Sequence, residues 1–375
     1  MSKILVLGAG LVGKAIAIDL HKSGHSVTSV DLDNTVLAEL SGKHGIRTVC
    51  ANFTSGDLDV LFKEADLVMG ATPGVLGYGV MKRVIKAGTN MVDISFCPED
   101  FMELDSLAKE HGVTVVADMG VAPGMCNAIL GYHNERMDLR SYRCLVGGLP
   151  FKREWPLEYK SSWSPMDCIE EYVRPARFRE GGENVTRPAL SDLETVEFDG
   201  IGPLEAWNSD GLRSLLDSFP HIPDMVEKTL RYPGTVDYLS VLRELGYFST
   251  EAVDVNGVKV RPVDMTAALL FPRFKLEKGE GEFTVMRIEI SGEEDGIEKH
   301  YTYNLYDEFM LETDTLSMAR TTGYTATGVA GLILDGILKD KGVIPPEKAA
   351  VEEQAFQALL AHLQKREVHY HLTVG

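Results

Sequence analysis

Positive charge is in short supply in this chain of 375 residues: 37 lysines and arginines stand against 56 aspartates and glutamates, a formal charge of −19. That balance repels phosphate backbones and anionic membrane surfaces, and no basic stripe reverses it locally, so neither nucleic acid nor a membrane is an expected partner. Long apolar runs are lacking as well. No segment approaches the ~20 apolar residues of a spanning helix, and Ile4-Leu5-Val6-Leu7 stops at Gly8 without a secretory cleavage pattern. Cysteine is sparse: Cys50, Cys97, Cys126, Cys144 and Cys168 are odd in number, scattered and never spaced Cys-x-x-Cys. Neither a disulfide framework nor a metal site is expected, His369 and His371 lack convergent ligands, and the compartment reads as cytoplasmic. There is no low-complexity tract, and a composition 44% hydrophobic and 25% charged excludes wholesale disorder.

What is present exceeds one hydrophobic core, so two domains are expected. Short β-branched runs alternate with helix-length amphipathic stretches over the first third: Lys3 to Leu7, Ser26 to Val30, Arg47 to Ala51, Asp66 to Ala71, Asn90 to Ile94 and Val113 to Ala117. Glycines at 24, 88 and 112 mark helix ends between them. The pattern predicts an α/β fold: a Rossmann-type, doubly wound parallel sheet over residues 1–122. An α+β domain with a mixed or antiparallel sheet follows over 123–312. It has a helix from Met125 to about Glu135, a strand from Ser141 to Val146, a loop at Gly147-Gly148-Leu149-Pro150, and a hairpin between Glu282 and Tyr306. The hairpin places Met286, Ile288 and Ile290 on one face and turns at a solvated Glu293-Glu294-Asp295-Gly296. Residues 313–375 supply a helix from Thr315 to about Leu338, with Asp314 as candidate N-cap, and a tail packing back on the first domain.

Gly8-Ala9-Gly10-Leu11-Val12-Gly13 is Gly-x-Gly-x-x-Gly directly after a strand and opening a helix. Gly8 permits the tight turn, Gly10 lets backbone approach a pyrophosphate, and Gly13 allows close helix packing, while the N–H groups of the helix start face the negative charge. Asp31 ends the second strand where a carboxylate accepts hydrogen bonds from both adenosine ribose hydroxyls and repels a 2′-phosphate. No arginine follows in Leu32-Asp33-Asn34, so NAD is the expected cofactor. Leu32, Asn52, and Thr72 with Pro73, at carboxyl ends of strands, are further candidate cofactor neighbours; the competing reading of each is ordinary loop chemistry.

Several runs in order carry a resemblance: Val92-Asp93-Ile94-Ser95, Gly120-Val121-Ala122-Pro123-Gly124-Met125, Gly147-Gly148-Leu149-Pro150, Ser162-Trp163-Ser164-Pro165, Asp210-Gly211-Leu212-Arg213, Lys228-Thr229-Leu230-Arg231-Tyr232-Pro233-Gly234 and Met318-Ala319-Arg320-Thr321-Thr322-Gly323-Tyr324. Over nearly its whole length the chain resembles the saccharopine dehydrogenase-like reductases, and among them the lysine 6-dehydrogenases. Saccharopine-forming members usually carry an acidic residue where this chain has Ala122 and a cysteine where it has Val146. The resemblance implies a homodimer and NAD-dependent oxidative deamination of the ε-amino group of L-lysine. A saccharopine-type or carboxynorspermidine-type imine reductase, and a non-catalytic NAD-binding regulator, remain as alternatives.

Such a reaction sets requirements. The substrate amine, with a pKa of ~10.4, must lose a proton before hydride leaves carbon, and water must then be activated to hydrolyse the imine. Asp93 and Asp118, at the ends of the fifth and sixth strands, are candidate acid/base residues, and Lys160 would join them if burial lowered its pKa. The α-carboxylate of an amino-acid substrate calls for a planar bidentate cation, first Arg231 and then Arg213. Tyr159 and Trp163 are candidate walls for an aliphatic chain, against a core reading for both.

Overall fold

The computed structural model describes residues 1–161, 165–277 and 279–375, and two compact units emerge. One combines Met1–Met137 with Met318–His369; the other combines Asp138–Ser317 with Tyr370–Gly375.

In chain order the first unit opens with β1 (Lys3–Leu7), α1 (Leu11–Lys22), β2 (Ser26–Asp31), α2 (Asn34–His44), β3 (Arg47–Cys50), α3 (Leu58–Glu64) and β4 (Leu67–Gly70). It continues with α4 (Gly74–Ala87), β5 (Asn90–Asp93), α5 (Asp105–Glu110), β6 (Thr114–Val116) and α6 (Met125–Asn134). The predicted strands recur within a residue or two. Their cause is visible in the packing: Leu5, Leu7, Val30, Val68, Met91 and Val115 all lie in one core cluster with Val80, Met81, Val84 and Ile85 of α4. Those four α4 residues are at most 2% exposed, and their i, i+1, i+4, i+5 spacing makes an apolar stripe worth about 1.5–3 kcal/mol per side chain buried. Gly88, in the left-handed region at φ +79°, ends the helix.

The second unit follows with β7 (Asp138–Pro150), α7 (Pro165–Val173), β8 (Ala176–Glu180), β9 (Glu183–Arg187), β10 (Glu194–Phe198), β11 (Gly202–Asn208), α8 (Leu215–Ser218) and β12 (Asp224–Arg231). Then come α9 (Thr235–Glu244), β13 (Val253–Val255), β14 (Val258–Val260), α10 (Pro262–Phe274), β15 (Glu282–Glu294) and β16 (Ile297–Glu308). The chain returns to the first unit with α11 (Ser317–Leu334), β17 (Gly342–Ile344), α12 (Pro346–Ala349) and α13 (Glu353–Gln364), and closes on β18 (Tyr370–Val374) of the second.

The first unit's sheet runs β17-β6-β5-β4-β1-β2-β3, parallel throughout. Sequence periodicity missed β17, three residues long and drawn from the far end of the chain. The second unit's nine-stranded sheet is mixed, ordered β10-β11-β12-β7-β15-β16-β18 with β8 and β9 attached at β12. β7 and β12 are parallel, while β7 and β15 are antiparallel. The predicted hairpin is β15–β16, turning through Asp295 and Gly296, both at positive φ.

Two expectations require correction. Gly147 to Pro150 is not a loop but the end of β7, paired with Glu282 to Val285. Gly147 is needed there because a Cβ would lie 2.6 Å from the Leu230 carbonyl oxygen of the adjoining strand. Nor is Asp314 a helix cap: α11 starts at Ser317, and Asp314 occupies a turn at φ +50° whose ends, Met310 and Thr315, pair with each other.

Within the first unit the C-terminal segment is fastened to the back of α1. Asp19 accepts from Thr327 Oγ1 and Arg366 Nε, both at 2.6 Å, and Thr327 Oγ1 lies 2.9 Å from His362 Nε2. Burial first, then the Arg366 charge, pushes the His362 imidazole down to about 4 against the pull of Asp19, so it meets this cluster as a neutral ring at pH 7. Asn127 at the start of α6 donates to Glu347 Oε2 at 3.2 Å, both residues being fully buried.

Candidate functional site

At the carboxyl edge of the first unit's sheet, the glycine loop is shaped by contact. Gly8 adopts φ +99°, and a Cβ there would lie 2.2 Å from the Ala71 carbonyl oxygen; a Cβ on Gly13 would lie 2.1 Å from the Gly8 carbonyl oxygen. Around Gly10 there is nothing within 4 Å, so no protein neighbour accounts for a glycine there. The start of α1 carries no side-chain cap and no acidic residue in its first turn, which leaves its N–H groups to an anion. Asp31 Oδ2 accepts from Ala9 N at 2.6 Å, and Oδ1 from Leu32 N at 2.7 Å and Asp33 N at 3.0 Å. The carboxylate thus ties the carboxyl end of β2 to the glycine turn. Leu11 and Leu32 are exposed apolar side chains flanking this feature.

Thr72, after β4, is 5% exposed, and its Oγ1 has no hydrogen-bond partner among the described residues. A buried hydroxyl left unfilled at this rim fits a polar ligand group, and Pro73 follows it as the residue preceding α4. Asn52 is the exception among the cofactor candidates: its Oδ1 accepts from Thr54 N and Thr54 Oγ1, both at 2.9 Å, and so braces its own loop.

Asp93 is 1% exposed and lies inside the unit rather than on its rim. Its Oδ1 accepts from Ser95 Oγ at 2.5 Å and Ser95 N at 2.8 Å, while Oδ2 is buried with no partner among the described residues. Two glycines make room: a Cβ on Gly70 would lie 2.0 Å from Asp93 Oδ2, and one on Gly77 would lie 1.9 Å from Ser95 Oγ. Burial pushes the Asp93 carboxyl up to about 7, against the Ser95 hydrogen bonds and with added repulsion from Asp118. Asp118 is buried at φ +53°. It precedes Met119, whose N–H donates to the Asp93 carbonyl, and Gly120, which pairs with Gly124 around the Ala122–Pro123 turn.

This gives a pH signature. The carboxyl titrates near 7 in the native state but near 3.8 when exposed, so between those values the native state binds more protons, and stability falls as pH rises, levelling off above 7. Asp93→Asn is expected to match or trail the parent at pH 4 and to exceed it at pH 8 by up to about 4 kcal/mol in urea denaturation. A pH-independent difference would contradict this.

In the second unit, Glu227, Thr229 and Arg231 lie at alternate positions of β12 and therefore share one face. Arg231, 3% exposed, donates through Nη1 to the Leu230 carbonyl at 2.8 Å and through Nη2 to Glu171 Oε2 at 3.1 Å. Its guanidinium carbon stands 4.0 Å from the Tyr159 ring centroid and 5.5 Å from that of Trp207. Tyr159 therefore reads as core: it belongs to one cluster with Cys168, Tyr172, Trp207 and Phe274, and it supports Arg231 from below. Glu227 accepts from Ser209 Oγ at 2.8 Å and Gly211 N at 3.1 Å, and Ser209 Oγ lies 2.7 Å from Thr229 Oγ1. Burial, the dominant cause, with repulsion from Glu171 and Asp210, pushes the Glu227 carboxyl up to about 8 against the hydrogen bonds from Ser209 and Gly211.

Arg213 is half-buried at φ +51°, just after Asp210, which forms a two-point pair with Arg177 at 2.9 Å on each arm. Lys160 departs from expectation. Its Nζ donates to the Lys275 carbonyl and lies 3.5 and 3.6 Å from the carboxylates of Glu154 and Glu280. Two carboxylates are the surroundings of a structural ammonium; an amine base needs an apolar or cation-flanked pocket. Trp163 lies outside the described residues. The residues sequence reading missed are Glu171, Ser209, Glu227 and Thr229. Period-two alternation across residues 224–231 was the available signal for the last two.

Family models match the chain in two adjoining stretches, the saccharopine dehydrogenase NADP binding domain over residues 4–116 and the saccharopine dehydrogenase C-terminal domain over 120–368. The chain belongs to the saccharopine dehydrogenase family. It is 30% identical over 281 residues to mitochondrial alpha-aminoadipic semialdehyde synthase of Rattus norvegicus, covering 70% of this chain and 30% of that protein. The family member thus spans about a third of the length of such curated relatives. A carboxyaminopropylagmatine dehydrogenase of Synechocystis is 23% identical and is matched over 100% of this chain and 98% of its own length. Apo saccharopine dehydrogenase (L-Glu forming) from Saccharomyces cerevisiae shares the fold across 100% of both chains, with a TM-score of 0.79 at 19% identity. The chain is therefore saccharopine dehydrogenase-like in both its dinucleotide-binding and its C-terminal stretch. No helix among the described residues is long and apolar enough to cross a membrane.

Proposed function

We propose that this member of the family is an NAD-dependent lysine 6-dehydrogenase. It converts the ε-CH2–NH3+ of L-lysine, with NAD and water, into the 6-semialdehyde, ammonium, NADH and one proton; the aldehyde then cyclises onto the α-amine. The observation that carries the reading is the buried Arg231 guanidinium, clamped over Tyr159 on the face of β12, a rigid planar cation suited to the carboxylate of an amino-acid substrate. Lysine rather than saccharopine is supported by Ala122 and Val146, which replace the acidic and thiol side chains usual in saccharopine-forming members.

The glycine loop, the start of α1, Asp31 and Thr72 would hold the dinucleotide, which supplies the hydride acceptor when bound. Asp31 would take both ribose hydroxyls. With Asp33 two residues on and no arginine between them, a 2′-phosphate would meet two carboxylates, which supports NAD although the matching family model is named for NADP. Asp118, at the end of β6, is the acid/base candidate for deprotonating the amine and activating water; Asp93 positions the Ser95 and Met119 backbone beside it. A homodimer in the cytoplasm belongs to the same reading.

An imine-forming reductase is the second reading, favoured by the full-length match to carboxyaminopropylagmatine dehydrogenase. The test is NADH formation from purified protein with NAD and a panel of amines and amino acids. Lysine-selective turnover is the expected result. NADH consumption with paired amine and aldehyde substrates, and none with lysine, would favour the reductase; tight NAD binding without any turnover would mark a regulator.

A further inference from the structure

Along the β13–β14 hairpin and α10, the second unit turns apolar side chains outward. In the hairpin Val253 pairs with Val260 and Val255 with Val258, so one face is all valine, while Asp254 and Lys259 share the other at 3.7 Å. The valine face is bare: Val253, Val255 and Val258 are 48 to 61% exposed. A two-stranded hairpin is marginally stable at best in water and needs something to pack on.

α10 follows directly. Its inward face holds Val263, Thr266, Ala267 and Phe274, all buried. Its outward face is Asp264, Met265, Ala268, Leu269, Pro272 and Arg273, all exposed, an apolar stripe closed by an anion at one end and a cation at the other. Thr266 Oγ1 donates to the Tyr247 carbonyl at 2.7 Å and Val263 N to the Ser249 carbonyl at 3.0 Å. These bonds join the start of α10 to the chain leaving α9, where Tyr238, Val241 and Leu245 are exposed as well. Large apolar side chains rimmed by charge are the make-up of a standard protein interface, which buries about 800 Å² on each partner.

We propose that this surface docks a second copy of the chain, with the two α10 helices packed antiparallel about a two-fold axis passing between Ala268 and Leu269. The charge pattern selects that occupant. In this register Asp264 meets Arg273 of the partner subunit, Met265 meets Pro272 of the partner subunit, and the small Ala268 meets the larger Leu269 of the partner subunit. Every contact is made twice, and both ends of the helix pair attract, whereas parallel packing would set like charges together. The hairpin, continuous with the start of α10, then lays its valine face toward the far end of the partner helix. The inference goes beyond the reading of the activity and needs no substrate for its test.

Sedimentation equilibrium over a range of protein concentrations reads the dimer dissociation constant, with far-UV circular dichroism as the fold control. Leu269→Glu is expected to raise that constant by about 100-fold or more, since each substitution counts twice at a two-fold contact, and Val255→Lys in the hairpin acts in the same direction. Asp264→Arg and Arg273→Asp each bring like charges together at both ends and are expected to weaken the dimer about tenfold. Mixed in equal amounts, those two variants pair opposite charges at both ends and regain the parental affinity as a heterodimer. A parent that sediments as a monomer at every concentration, a parental dimer unmoved by Leu269→Glu, or a mixture no tighter than its components would overturn the proposal.

Discussion

Arg231→Ala is expected to raise the KM for the amino-acid substrate by about 100-fold or more while the dissociation constant for NADH stays within about twofold. The magnitude follows from the site. A charge-assisted hydrogen bond is worth about 1.5–3 kcal/mol and a two-point clamp more, and about 1.4 kcal/mol is tenfold in affinity. The variant also removes the cation 3.1 Å from Glu171 and the group stacked on Tyr159. A lower melting temperature should therefore accompany the kinetic change. Arg231→Lys separates the two effects: it keeps the charge beside Glu171 but loses the planar fork, so stability recovers further than affinity. Steady-state kinetics with fluorescence titration of NADH reads both. An unchanged KM would remove Arg231 from the substrate site.

The second large effect concerns the dinucleotide. Asp31→Ser is expected to weaken NAD binding by roughly 10–100-fold, the loss of one charge-assisted hydrogen bond or more, and to improve NADP use through removal of the repelling carboxylate. Because Asp31 also accepts from the backbone N–H of Ala9, serine is a better probe than alanine, keeping an oxygen at this position. The ratio of kcat/KM for NAD over NADP is the quantity to measure. A ratio unmoved by the substitution would refute the ribose role and leave Asp31 as a brace for the glycine turn.

The nucleotide-binding unit was legible in the sequence because its determinants are local. Glycine spacing, a strand before it and a carboxylate closing the next strand all sit within about thirty residues, and the parallel sheet follows from the alternation of strand and helix. β17 was not legible: its three residues join β6 only through chain folded back from more than 220 positions away. The same distance hides the cluster of Asp19, Thr327, His362 and Arg366, whose members show no common motif.

In the second unit the sequence pointed to Arg231 but not to its partners. Glu171 lies sixty residues earlier on α7, and Ser209 and Glu227 meet across neighbouring strands, so only the fold brings them to one face. Lys160 was a candidate acid/base residue on the condition of burial in a pKa-lowering pocket, and the sequence did not show its neighbours, because Glu154 and Glu280 are supplied by flanking and distant chain. Asp93 was rightly placed at a strand end, but periodicity does not say whether such a carboxylate faces the rim or the interior. Gly70 and Gly77, the residues that admit it to the interior, belong to two other elements.

The most direct test of the central claim is turnover of L-lysine carrying 15N at the ε position, alongside L-lysine carrying it at the α position, with NAD and the purified protein. Labelled ammonium from the ε-labelled substrate alone, one for each NADH formed, is the predicted result. Labelled ammonium from the α position, or NADH formed with no ammonium released, would contradict it.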